Sequence, residues 1–157
     1  MYIKLIPDDG DLSKRLADNF EETKKLILSV PEEKLSYRYA EGKWDIKETM
    51  LHIIDDERIF AYRILRFARN DKTELPGFDQ DDFAKNSFSN RRSIKSIIDE
   101  FESVRHATIT LIDSLEDEVL LNDGFCNGYK SNVRSLAYHL AGHELHHINI
   151  IREKYLK

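Results

Sequence analysis

The sequence has few of the residues that interrupt regular structure or cross-link a chain. Its 157 residues include one cysteine, three prolines and six glycines. A single thiol forms no internal disulfide and supplies no cysteine-rich zinc site, which excludes a disulfide-stapled secreted domain. The few prolines and glycines lie between long segments of helical pattern. This distribution predicts few breaks and an all-α fold.

Long apolar runs and an excess of positive charge are also missing. No segment approaches the length of a membrane span, and the N-terminal sequence MYIKLIPDDGDLSK lacks the apolar core of a signal peptide. The formal net charge is -5, from 24 basic and 29 acidic residues. Nucleic-acid and anionic-membrane binding depend on neutralising phosphates with Lys and Arg, so neither partner is expected. We therefore expect a cytoplasmic protein.

Four long segments carry apolar residues at helical spacing. They are separated by short segments rich in turn-forming residues, and cover 12–30, 46–69, 91–115 and 133–156. A short helical turn is expected within 79–88 and a small hairpin within 116–130. Four helices of this length predict a four-helix bundle. Because no repeat or polar linker divides the chain, we expect a single domain over residues 1–157.

Polar residues ahead of these segments are candidate N-caps. Asp45 and Glu48 have the spacing of a capping box at the start of the second helix. Ser89 or Asn90 would cap the third helix. Ser131 or Asn132 would cap the fourth.

Four of the six histidines lie within the nine residues HLAGHELHH, 139–147. His143 and His147 are one helical turn apart, about 6 Å along the axis, so both can reach one metal ion. His147 and Glu144 fall in the apolar stripe of this helix, where a polar side chain needs a partner. A metal site and a hydrogen-bonded core are equally compatible with this pattern. His139 and His146 are assigned to the surface or behind the ligands, and His106 to a structural role.

A third ligand would have to come from another helix, and His52 is the candidate. It lies opposite the apolar arc of the second helix, on a strip with Glu48, Asp56, Ile59 and Arg63. Such a strip either faces solvent or forms the polar lining of a pocket, and periodicity leaves both open.

The chain resembles the DinB/YfiT-like metalloenzymes in three segments that follow the same order: GKWDIKETMLHIIDDERIFAYRILRFARND, LPGFDQDDF and RSLAYHLAGHELHHINIIREKY. The resemblance implies a four-helix bundle in a mirror variant of the up-and-down arrangement. It also implies a divalent metal, Zn²⁺ or Ni²⁺, held by His52, His143 and His147. Relatives are often homodimers, and they include thiol S-transferases that use low-molecular-weight thiols, and hydrolases.

The leading hypothesis is therefore a metal-dependent enzyme acting on a small molecule. The ion would activate a low-molecular-weight thiol for S-transfer, and activation of water for hydrolysis is the alternative. Glu144 and Asp56 are candidates for a general base or an orienting carboxylate. A non-catalytic, stress-related metal-binding dimer and a bundle with purely packed histidines are the alternatives. Cys126 is taken as incidental, and Trp44 as a core residue.

Overall fold

A computed structural model describes residues 2–5 and 10–157 of the chain. Within this part the long helices are α1, α3, α5 and α6, and α2 and α4 are short. Their bounds are Leu12–Leu28 (α1), Glu32–Leu35 (α2), Ile46–Ala68 (α3), Gln80–Asn86 (α4), Ile94–Asp113 (α5) and Val133–Lys154 (α6). Two strands, Asp123–Cys126 (β1) and Tyr129–Asn132 (β2), and 3₁₀ turns at Tyr2–Leu5, Ser89–Arg91 and Asp117–Leu121 complete the described elements.

The four long helices close into a bundle. Helix α3 packs against α5 and α6, and α1 packs against the same two helices from the other side. This confirms the predicted all-α four-helix bundle. In the described part of the chain, no helix combines the length and the apolarity needed to cross a membrane.

The helix boundaries follow the capping residues. The Asp45 side chain accepts a hydrogen bond from the backbone N–H of Glu48, and the Glu48 carboxylate accepts one from the N–H of Asp45, both at 2.9 Å. The predicted capping box is thus confirmed. Asn132 caps α6 by accepting from the N–H of Ser135 at 2.8 Å. Helix α1 begins at Leu12, and residues 6–9, which include most of the PDDGD stretch expected ahead of it, lie outside the described residues.

The third long helix starts later than the sequence predicted. Its cap is Ser93, which accepts from the N–H of Ser96, and neither Ser89 nor Asn90 has this role. The preceding 3₁₀ turn is isolated because Phe88 is left-handed at φ 52° and Arg92 is extended, so helical geometry cannot continue through them. The α5 helix therefore covers Ile94–Asp113, within the predicted range 91–115.

The predicted small hairpin is present between α5 and α6. Strands β1 and β2 pair antiparallel, and Asn127 and Gly128 join them with φ of 53° and 76°. Two positive φ angles are required by the tight turn that matches strand twist, and Asn-Gly adopts them readily. A Cβ on Gly124 would lie 2.3 Å from the Phe67 ring, so this glycine lets the hairpin approach α3 closely.

Apolar side chains form two core clusters at different heights in the bundle. One uses the start of α3 and α5 with the end of α6, including Met50, Phe101 and Ile151. The other uses the end of α3 with the start of α6, including Phe67 and Leu140.

Between the clusters, the same helices bury charged and polar residues. This central polar layer consists of His52, Asp56, Glu57, Arg105, His143 and Glu144. The candidate site therefore lies inside the bundle.

Candidate metal centre

Three histidines meet where α3 faces α6. The Nε2 atom of His143 lies 3.0 Å from Nε2 of His52 and 3.1 Å from Nε2 of His147. His52 and His143 are each 4% exposed, and His147 is half-buried. We call these three residues the histidine triad. The structure thus resolves the orientation of His52: His52 and Asp56 of its strip are buried and face the site, whereas Glu48 lines an open cleft.

Burial keeps the triad uncharged. It lowers the pKa of His143 far below its ordinary value, with the neighbouring histidines adding to the effect. It also lowers the pKa of His147 to about 3. Burial also lowers the pKa of His52, although the negative charges of Asp56 and Asp81 act to raise it. Neutral imidazoles at physiological pH are the protonation state that binds metal ions.

The donor set fits a metal ion. Two nitrogens bound to one Zn²⁺ at about 2.0–2.1 Å each are at most about 4.2 Å apart, and both measured separations are shorter. Ring nitrogens this close share either a proton, in an N–H···N hydrogen bond between neutral rings, or a common cation. In addition, Nδ1 of His52 is buried without a hydrogen-bond partner among the described residues.

A second constellation lies directly behind His143. The Oδ2 atom of Asp56 is 3.2 Å from Nδ1 of His143 and 3.0 Å from Nε2 of His139. The His139 ring stacks on Phe60, with centroids 3.9 Å apart and planes within 5°. Asp56 is 5% exposed. Asp56 was expected as a carboxylate of the site and His139 either at the surface or behind the ligands, and the two residues are in contact here.

Trp44 borders the triad instead of packing in the core as expected. Its ring centroid is 4.7 Å from that of His52, and it stacks on His147 at 6.4 Å. The hydroxyl of Tyr155 donates to the Trp44 carbonyl at 2.5 Å, which fixes the backbone ahead of α3. Trp44 therefore forms an apolar wall on the side of the half-buried His147.

Glu144 faces away from the triad, although it follows His143 in sequence. Its carboxylate accepts from the Thr23 hydroxyl at 2.7 Å and lies 2.9 Å from the Arg105 guanidinium. Arg105 also holds Glu57 at 2.7 Å, and these three residues, which we call the ion cluster, are each at most 2% exposed. Burial raises the pKa of Glu144, with Arg105 opposing it. The structure thus gives Glu144 partners on α1 and α5, and we no longer regard it as a candidate general base.

The remaining residues singled out from the sequence, His106, His146 and Cys126, are not members of the triad. His106 is exposed on α5 and His146 is half-buried beside His147. Cys126 belongs to the second core cluster, 7% exposed, and burial raises the pKa of its thiol. It is a buried residue of β1.

Two residues of the polar layer were missed by the sequence analysis. Glu57 stands among charged residues in DDER, 55–58, so no local signal marks it as buried. Arg105 had a signal: it follows Phe101 by four residues and Ile98 by seven, which puts a guanidinium on the apolar stripe of α5. A charge at such a position predicts a buried partner.

A model of the DinB superfamily matches residues 15–151, most of the chain and all of the triad. The chain belongs to the DinB superfamily. A protein of Oceanobacillus iheyensis named "Putative metal-dependent hydrolase OB0413" is 28% identical over 150 residues, covering 94% of this chain and 85% of that protein.

A solved structure has the same fold. It is YfiT from Bacillus subtilis, described as "a probable metal-dependent hydrolase with an unusual four-helix bundle topology". The TM-score is 0.81 at 15% identity, and the match covers 94% of this chain and 87% of that one. The resemblance stated from the sequence is therefore confirmed for family and fold.

Proposed function

We propose that this DinB superfamily member is a metal-dependent hydrolase that acts on a small molecule, with His52, His143 and His147 as the ligands of one divalent ion. The observation that carries the proposal is the convergence of three Nε2 atoms, since that of His143 lies 3.0 Å from His52 and 3.1 Å from His147. Zn²⁺ and Ni²⁺ are both accepted by imidazole ligands, so either ion is consistent with this donor set.

The bound ion would supply Lewis acidity and lower the pKa of a coordinated water or thiol, which gives a nucleophile at neutral pH. The residues of the chain supply the rest. The triad binds through Nε2, Asp56 contacts the back of His143, and Trp44 keeps one side of the site apolar. Three protein ligands leave positions for a nucleophile and a substrate, as catalytic sites require.

Substrate is expected to approach past the start of α3. Glu48, one turn before His52, lines a cleft of about 230 Å³ together with residues of α4 and the following turn. Three cationic side chains, Arg38, Lys85 and Arg91, lie around this cleft. The two carboxylates of the cleft, Asp45 and Glu48, are both paired with Arg38, which leaves Lys85 and Arg91 as its further cations. These cations favour a small substrate that carries an acidic group.

Thiol S-transfer is the second candidate, and one observation favours it. The two buried carboxylates nearest the triad in sequence, Asp56 and Glu144, are both engaged by other side chains. A metal-bound thiol loses its proton on coordination, so it needs no free carboxylate as a base. Hydrolysis stays the first candidate because the similar protein of Oceanobacillus iheyensis is named a putative metal-dependent hydrolase.

The first experiment measures metal content by elemental analysis on protein purified without an affinity tag. We expect about one divalent ion per chain in the parent and none in His143→Ala or His147→Ala, with helical content unchanged in both. His106→Ala is the matched control, because His106 is an exposed histidine of α5, and it should retain the ion. If added Zn²⁺ and Ni²⁺ leave the folded parent without stoichiometric metal, the proposal is wrong.

A second measurement separates the two chemistries. The metal-loaded parent is assayed with ester and amide substrates, and in parallel with a low-molecular-weight thiol and an electrophile. Hydrolysis that needs no thiol and is lost in His147→Ala supports the hydrolase. Turnover that appears only with the thiol identifies the transferase, and no turnover in either assay favours a non-catalytic metal site.

A further inference from the structure

Asp56 occupies an unusual position between two imidazoles. Its Oδ2 atom lies 3.2 Å from Nδ1 of His143 and 3.0 Å from Nε2 of His139. A carboxylate oxygen has two lone pairs and can accept a hydrogen bond from each ring. Both distances are within the range of such bonds. One buried acceptor therefore explains the placement of two histidines on successive turns of α6.

His139 is held as firmly as a residue of a packed core. Its ring lies parallel to Phe60 on one side, with centroids 3.9 Å apart. It also lies nearly parallel to the His143 ring, at 5.3 Å and 13°. Arg63 extends this arrangement, because its guanidinium lies 4.9 Å from the Phe60 ring and donates to the Pro76 carbonyl at 2.9 Å. The orientation of His139, and with it the direction of its Nε2 atom, is set by these contacts.

We propose that Asp56 and His139 form a positioning pair that fixes the ring and tautomer of His143, and that neither is a metal ligand or a general base. This inference rests on the proposed metal site. Asp56 accepts from Nδ1–H of His143, which leaves the lone pair of this ring on Nε2, where His52 and His147 converge. His139 donates to the same oxygen and holds the carboxylate in place.

The contrast with His52 supports this role. Nδ1 of His52 has no hydrogen-bond partner among the described residues, so nothing comparable fixes its tautomer. The pair therefore acts on one ligand of the triad. Carboxylates behind a metal-bound histidine orient the ring and increase its basicity, and their loss typically costs 10–100-fold in metal affinity.

The alternative assignment is a second ion held by Asp56, His139 and His143, since their ligand atoms lie within 4.8 Å of one another. That arrangement would require His143 to bridge two ions as an imidazolate, which means removing its second proton. Hydrogen bonds from one N–H group of each ring to the Asp56 carboxylate satisfy the same atoms without that step. The positioning role is therefore the simpler account of the contacts.

The test uses four single variants of the full chain. Asp56→Asn keeps the shape of the side chain and removes its charge, and Asp55→Asn makes the same change on the neighbouring residue, whose charged neighbours are Arg58, Arg92 and Glu100. His139→Phe keeps an aromatic ring next to Phe60 but removes the donor, and His139→Gln restores a donor. Helical content and melting temperature without metal verify folding.

Three readouts are compared: Zn²⁺ affinity by competition with a chromophoric chelator, the number of ions bound, and the visible spectrum of the Co²⁺ form. We expect one ion in every variant. Asp56→Asn should bind Zn²⁺ about 10–100-fold more weakly and change the Co²⁺ spectrum. His139→Phe should show a smaller loss that His139→Gln partly recovers, and Asp55→Asn should match the parent.

A fourth readout needs no metal. Long-range ¹H–¹⁵N spectra of the metal-free parent should show His143 protonated at Nδ1 and His139 at Nε2, and Asp56→Asn should disturb the His143 signal. If Asp56→Asn does not fold, the test rests on comparing His139→Phe and His139→Gln with the parent, because His139 is only half-buried.

Each other outcome overturns the inference in a recognisable way. Unchanged Zn²⁺ affinity and Co²⁺ spectrum in Asp56→Asn and His139→Phe, with one ion in the parent, refute the positioning pair and leave the metal site intact. A second ion that the parent binds and His139→Phe loses makes these residues ligands. A parent that binds no ion refutes the metal site and this inference together.

Discussion

The histidine triad with its neighbour Asp56, and the ion cluster, draw on adjacent residues of α3 and α6, and the ion cluster adds Arg105 from α5. Helix α3 gives Asp56 to the triad side and Glu57 to the ion cluster, and α6 gives His143 and Glu144 in the same way. Successive helical residues point about 100° apart, so each pair divides between two faces of the layer.

The two sites differ in their source of positive charge. The ion cluster contains its own cation, since Arg105 contacts both carboxylates and the Leu16 carbonyl. The triad contains no permanent cation, and its rings are held neutral by burial. A polar site that contains its own counter-charge needs no ion from solution once the chain has folded. A site of converging lone pairs gains most from an ion taken from solution.

The largest expected effect comes from removing the internal cation. Arg105→Met leaves Glu57 and Glu144 buried without their partner, and breaking such a contact typically costs about 3–5 kcal/mol of unfolding free energy. Urea denaturation measures it. Arg58→Met is the control, because Arg58 is half-exposed and its pair with Glu100 is expected to contribute below about 1 kcal/mol. Equal losses in the two variants would mean that the ion cluster is not a stability element.

Supplying the missing cation to the triad should stabilise the fold by the next largest amount. Zn²⁺ at one hundred times its dissociation constant adds about 2.7 kcal/mol to the free energy of unfolding, because the ion binds the folded chain. Thermal melts with Zn²⁺ and with EDTA show the difference. His147→Ala should melt at the same temperature in both conditions, and a Zn²⁺ shift retained in that variant would argue against the triad as the site.

Acid should destabilise the metal-free protein through the triad. An unfolded histidine has a pKa near 6.5, whereas burial lowers the folded pKa of His147 to about 3. Below about pH 6.5 the unfolded chain therefore binds more protons than the folded chain, and stability falls as the pH drops toward 3. Each such group contributes a slope of up to about 1.4 kcal/mol per pH unit.

Urea midpoints between pH 7 and pH 4, measured in EDTA, give this slope. It should be shallower in His147→Ala than in the parent, and the exposed His106→Ala should match the parent. Parallel curves for the parent and His147→Ala would show that His147 is not held neutral by burial.

The smallest effect is spectroscopic. Trp44 is the only tryptophan of the chain and lies 4.7 Å from the His52 ring. A paramagnetic ion bound to the triad should quench the fluorescence of Trp44. One equivalent of Cu²⁺ or Ni²⁺ should therefore lower the emission intensity. His143→Ala should show no quenching at that ratio. Equal quenching in both proteins would place the ion elsewhere.

Local patterns predicted much of the fold because they report local physics. The capping box at Asp45, the apolar stripe of α6 and the one-turn spacing of His143 and His147 are all set within a few residues, and the structure has each of them. The start of α5 was misplaced because the left-handed Phe88 has no signature in its own sequence.

Features that depend on contacts between helices could not be obtained in this way. The strip of His52 is polar on the helical wheel, and only the packing of α6 against α3 shows that it is buried. Trp44 was assigned to the core for the same reason, since its neighbours come from α3 and α6. Glu144 looked like a site residue because its contacts with Thr23 and Arg105 are long-range.

The placement of His143 next to Glu144 has a consequence for how this chain can change over evolution. One residue inserted or deleted in α6 ahead of His143 would turn the following residues by about 100° relative to those before it. Such a shift would direct a carboxylate toward the histidines or an imidazole toward Arg105, and it would damage both sites at once. We expect length changes among relatives to be confined to the loops and the hairpin, while the spacing within α3 and α6 is kept.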